Sequence, residues 1–177
     1  LQPSGITEVA FGSPKWNASD GEDRYRRSIY TMIKRTAPFA MIATFDGLSG
    51  EQCVAQRSRS NTPLQGLTLL NDIMFVDMAQ AASKNLLEQA GLTTDDTRIV
   101  RLFRQLLSRH PDQEELNWLS KFVAEQRKAF QENPDSVRQL MCDNSDQKAS
   151  NAELVERAVW TATARALYGL DEAVTRP

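Results

Sequence analysis

The chain is poor in the groups that most enzymes use for chemistry: its 177 residues include one histidine, His110, and two cysteines, Cys53 and Cys142. A Ser/His/Asp triad would have to pass through His110, which precedes Pro111 in a predicted loop, and no G-x-S-x-G elbow accompanies it. His110 therefore reads as a surface histidine. The cysteines form no C-x-x-C, no C-x-x-C-H and no zinc spacing, so neither a metal site nor a haem attachment is expected in this chain. Two free thiols are the default for a helical domain of this size. H-E-x-x-H and the phosphate-binding G-x-x-x-x-G-K are absent as well. No apolar run reaches roughly 18 residues, so no membrane-spanning helix is expected, and the start LQPSGITEVAFG has neither the charged nor the apolar region of a signal peptide. A net charge of −2 and the lack of any nucleic-acid motif argue against a nucleic-acid partner.

What is present suits a soluble globular protein: 41% hydrophobic residues are enough to build a core, and 25% charged residues are enough to cover it. Charge is uneven, with a net +2 before Pro63 and −4 after it, and the basic excess falls in residues 24–59. One domain over 1–177 is expected, made of an extended N-terminal arm (1–23), a basic β/loop segment (24–60) and a helical body (61–177), as a fragment of a larger protein.

Residues 57–72, RSRSNTPLQGLTLLND, organise the rest. Thr62 and Gln65 form a T-x-x-Q capping box, and Pro63 takes the first helical position, where its missing N–H costs nothing. Leu64, Leu67, Leu69 and Leu70 are expected to form the buried face. Asn71 and Asp72 break the run and recap a helix to Gln89 carrying Phe75, Val76, Ala79, Ala82, Leu86 and Leu87. Further helices follow: from Thr94, with Asp95 and Asp96 in the first turn; from Asp112, boxed with Glu115; from Pro134; and from Ser150, boxed with Glu153. The last shows a narrow stripe of Leu154, Val155, Ala158, Val159, Ala162 and Ala166, and Gly169 stops it. The fold class is thus mainly α, a bundle of about five or six helices. A small antiparallel β element is expected near the N-terminus, pairing 28–35, where Ile29, Thr31 and Ile33 alternate with Tyr30 and Met32, with 52–57. A helix over 24–34 is the alternative.

Four phrases, YRRSIYTMIKRTAP at 25–38, ATFD at 43–46, RSRSNTPLQGLTLLND at 57–72 and ARALYGLDEAVTR at 164–176, together resemble the C-terminal part of the DUF1553 family, a planctomycete domain of unknown function that accompanies planctomycete-type cytochrome c domains. The chain has Met32-Ile33 where the family pattern has Phe-Trp, Phe39 and Ala40 where it has a proline run, and Ile73 where it has proline. The resemblance implies a large exported or periplasmic polypeptide with haem c in an upstream domain and no cofactor in this fragment. The partners it implies are the upstream domains of the same polypeptide.

Arg57, Arg59, Asn61, Thr62 and Gln65, extended by Arg35, form a candidate anion cradle in front of a helix N-terminus, suited to sulfate, phosphate or an anionic polysaccharide. The competing reading pairs the arginines with Asp46, Glu51 or Asp72 and makes the segment structural, with Pro63, Asn71 and Asp72 shaping the helix ends. No metal site and no defined catalytic residue emerges. The functional expectation is a non-catalytic module for assembly or anionic-ligand binding beside a cytochrome c domain. The alternative is part of a polysaccharide-acting enzyme that uses Asp46 with the arginines and needs upstream domains. Trp16, Trp118 and Trp160 are candidates for stacking on sugars, although helix positions favour a core or boundary role for the last two.

Overall fold

The computed structural model describes residues 19, 21–26, 28–31, 39–47, 53–56, 59–141 and 150–175. Contacts divide the chain into two units, 1–65 and 66–177. In the first, two 3-10 turns, Gly21–Tyr25 and Ser28–Tyr30, precede α1 (Ala40–Thr44), and α2 (Pro63–Asn71) begins at its end. The second continues α2 and adds α3 (Ile73–Glu88), α4 (Asp95–Leu107), α5 (Gln113–Glu132), α6 (Pro134–Met141), α7 (Asn151–Tyr168) and α8 (Asp171–Val174). The described part is thus mainly helical. It has eight α-helices where the pattern gave five or six, and the additional ones, α1 and α8, are too short for periodicity to reveal. No described helix is long and apolar enough to cross a membrane.

The expected β element is not found among the described residues. Ser28–Tyr30 form a 3-10 turn and residues 53–56 are irregular. Burial of one face is what fixes a strand's register. Ile29 is 81% exposed and Tyr30 70%, so their alternation serves no core. The rest of the first expected strand, residues 32–35, lies outside the described residues, as do Gln52 and Arg57 of the second.

Helix ends follow local side-chain chemistry. Thr94, Asp112 and Ser150 each accept a hydrogen bond from the backbone N–H three residues on, and the side chains of Thr97, Glu115 and Glu153 each accept one from the backbone N–H of the cap, so reciprocal boxes start α4, α5 and α7. Asp72 starts α3 by accepting from Met74 N (2.9 Å). Ser108, in the left-handed region (φ 61°), closes α4.

The core is organised on α7, which packs against α3, α4, α5, α6 and α8. Its burial departs from the narrow stripe expected: Ala158, Val159, Trp160, Thr161, Thr163, Ala164 and Leu167 are buried, whereas Leu154, Val155, Ala162 and Ala166 of that stripe are only half-buried. Small residues let α3 and α7 approach closely, with Ala79 and Ala82 facing the α7 side of one cluster that includes Val159, Trp160 and Ala164. Thr161 and Ser83, both fully buried, join the two helices by a 2.9 Å hydrogen bond between their hydroxyls. Ile99, Leu102, Phe103 and Leu107 of α4 and Leu119 and Val123 of α5 complete the cluster. Each such aliphatic or aromatic side chain contributes on the order of 1.5–3 kcal/mol by burial. Val137 and Met141 of α6 pack with Ala158 as a satellite cluster.

Candidate functional site

The capping box that starts α2 is formed: Thr62 N donates to Gln65 Oε1 (3.0 Å) and Gln65 N donates to Thr62 Oγ1 (3.3 Å). Gln65 then does more than cap. Only 2% exposed, it donates from Nε2 to the Thr44 carbonyl at the end of α1 (2.9 Å), to Ser60 Oγ (3.1 Å) and, at 3.5 Å, to Asp46 Oδ2. Its amide is engaged at both ends, as a buried amide must be if desolvation is not to cost about 1–3 kcal/mol.

Asp46 holds the other side of this network. It sits in the left-handed region (φ 55°), which short polar side chains tolerate best. Ser60 donates to it twice over, from its backbone N (2.7 Å to Oδ2) and from its hydroxyl (2.9 and 2.8 Å to Oδ1 and Oδ2). The turn is tight: Gly47 N donates to Ile42 O at 2.7 Å, and a Cβ on Gly47 would lie 2.2 Å from Ile42 Cγ2. Residue 46 is thereby clasped to residue 60 and the start of α2 is fixed to the end of α1.

This arrangement decides what the segment can do chemically. The Ser60 hydroxyl donates to a carboxylate and accepts from an amide, and the backbone N–H groups of Thr62 and Gln65 are held inside the capping box. The Gln65 N–H is one of the first-turn donors that a helix N-terminus offers an anion. A ligand contact by Gln65 would require it to give up its internal bonds. Arg59 and Asn61 are exposed in front of the helix, whereas Arg35, Arg57 and Glu51 lie outside the described residues. Asp72 caps α3, and Asn71 donates to Leu67 O (2.9 Å) within the last turn of α2.

Other candidates are scattered. His110 and Cys53 are exposed, and Cys142 and Trp16 lie outside the described residues. Trp160 is completely buried, while Trp118 is 58% exposed and stacks on Phe122 with centroids 5.6 Å apart. The leucines of α2 depart from expectation: Leu69 is buried, but Leu64 (58%), Leu67 (59%) and Leu70 (38%) are exposed. Spacing identifies residues that share a helix face, yet it does not say whether anything covers that face.

Sequence reasoning missed two arginine clusters. Arg127 of α5 grips Asp95 of α4 (2.8 Å) and Glu156 of α7 (2.6 Å), and the two carboxylates, Glu156 foremost, raise its pKa. Arg109 donates to Glu115 (2.7 and 2.6 Å) and to Glu172 (both contacts 2.7 Å) and lies over the Phe103 ring, 4.8 Å from its centroid. Hydrogen bonds from Arg109 hold both glutamates below the ordinary carboxyl range. No local signal exists for pairs 63 residues apart in sequence, such as Arg109 and Glu172.

Fold and clasp together define a mainly helical module in which the polar groups around Gln65 bond to one another. The chain belongs to the PSD1 family of proteins of unknown function (DUF1553), whose profile matches residues 2–123. No curated protein and no solved structure matches it significantly.

Proposed function

We propose that this chain is a non-catalytic helical module of a larger exported polypeptide and serves its assembly, with the uncharged face of α2 docking on an upstream domain beside a cytochrome c domain. The observation that carries this reading is the row of exposed leucines, Leu64, Leu67 and Leu70, on a helix without a charged residue, followed by Ile73 at 65% exposure. Interface cores are depleted in charge in this way, and clustered exposed aliphatics are costly unless covered. The occupant is what the family resemblance implies, an upstream domain of the same polypeptide. The test is sedimentation of the chain with the separately expressed upstream part of the same polypeptide. Association that weakens at least about tenfold, roughly 1.4 kcal/mol, in Leu64→Ser/Leu67→Ser at unchanged helicity is the expected result. Absence of association, or equal association of the variant, overturns the reading.

Anionic-ligand binding is the second reading, favoured by the exposed Arg59 and Asn61 just ahead of α2. It predicts a thermal shift with sulfated or carboxylated oligosaccharides that is lost in Arg59→Ala; no shift with either would dismiss it.

A further inference from the structure

Helix α5 buries Leu119 and Val123, and a step of one residue, about 100° around the axis, carries Trp118 off that face into solvent, where 58% of it is exposed. The ring is nevertheless held in place. It stacks on Phe122, one turn further along, with centroids 5.6 Å apart and planes 12° from parallel. Phe122 is half-buried and so ties the indole to the bundle. Among the described residues no second ring and no guanidinium lies against Trp118, which leaves the indole face turned away from Phe122 open for stacking.

The surroundings of this ring are polar. Glu114 and Lys121 flank it one turn away on either side, Asn117 precedes it and Glu125 follows two turns on, all of them exposed. Lys121 and Glu125 form an open ion pair at 4.0 Å, and Gln113 Nε2 donates to Asn117 Oδ1 (3.2 Å). A hot spot for a protein partner sits in a patch depleted of charge and sheltered by neighbouring contacts. Trp118 has no such patch around it. The chemistry that suits an isolated aromatic face with a hydrogen-bonding margin is a pyranose ring: its C–H face carries partial positive charge toward the negative π face of the indole, and its hydroxyls pair with carboxylate, amide and ammonium groups. Glu114 and Glu125 outnumber Lys121, so the margin favours an uncharged sugar over an anionic one.

We propose that Trp118 is the stacking platform of a carbohydrate-binding site on α5, and that its ligand is an uncharged β-1,4-linked oligosaccharide, whose equatorial linkages keep each ring's C–H face flat and uncovered. Phe122 sets the orientation of the indole before the sugar arrives, which lowers the ordering cost of binding. The site is carried by a different helix from the leucine face of α2 and does not depend on the assembly reading.

Calorimetric titration and saturation-transfer NMR of the full chain with cellohexaose test this, each variant being checked for unchanged helicity. A single platform binds weakly, so ligand is taken to about 10 mM, above a Kd of about 1 mM. Trp118→Leu keeps an apolar side chain without a π face and should weaken binding about tenfold or more, whereas Trp118→Phe should lose clearly less. Absence of wild-type binding, or equal binding by the two variants, overturns the proposal. Self-association in sedimentation that Trp118→Leu abolishes overturns it too, because the ring would then be the seat of a second copy of this chain.

Discussion

The side-chain amide of Gln65 donates to the backbone carbonyl of Thr44, 21 residues earlier, at 2.9 Å. One residue thus takes part in the α2 capping box and bonds to the end of α1. Gln65→Leu keeps the volume but leaves the Thr44 carbonyl and Thr62 N–H without this partner, so a loss of about 1–3 kcal/mol is expected. Urea denaturation would measure it, and an unchanged midpoint would show that the network is dispensable.

Matched family residues end at 123, inside α5, yet α7 completes the core that Ile99, Leu102, Phe103, Leu119 and Val123 share. A chain cut after Val123 is therefore expected to lose cooperative unfolding and to bind hydrophobic dye. A sharp thermal transition in the 1–123 fragment would contradict this.

Trp160 has a fully buried indole whose Nε1 meets no hydrogen-bond acceptor among the described residues, with the Arg98 guanidinium 6.0 Å from its ring. Trp160→Ala should cost about 3–5 kcal/mol through the cavity it leaves. Trp160→Phe removes the orphaned donor along with part of the volume and should cost clearly less. Equal losses in the two variants, read from denaturation midpoints, would mean that the N–H carries a bond.

Glu115 and Glu172 are held below the ordinary carboxyl value of about 4.5 by Arg109, and Glu153 by hydrogen bonds from Ser150, its backbone N–H first. Because the folded values are the depressed ones, the stability they contribute is fully present above the unfolded value and is lost as pH falls through the folded values. Melting temperature should thus drop more steeply below about pH 4.5 in the wild type than in Glu115→Gln/Glu172→Gln. Parallel curves would remove these groups from the acid transition.

Helix starts were legible because their causes are local: Thr62 with Gln65, Asp112 with Glu115 and Ser150 with Glu153 meet across a single turn, whatever surrounds them. The apolar periodicity of α3, α4 and α5 was equally direct, since a helix that must bury one face writes that face at three- and four-residue spacing. No strand pair forms among the described residues for a related reason: alternation at Ile29 and Tyr30 is a pattern that buries neither side chain.

The sequence by itself determined where helices begin, which faces are apolar and which family the chain resembles, because these depend on neighbours within a turn or on ordered phrases. Tertiary structure alone decided that the middle of α7 is buried on all sides, that Leu64 and Leu67 remain more than half exposed, and that Asp46 clasps Ser60 while Arg109 gathers Glu115 and Glu172. Those outcomes depend on which distant surfaces the packed chain brings together, and spacing along a chain carries no record of that.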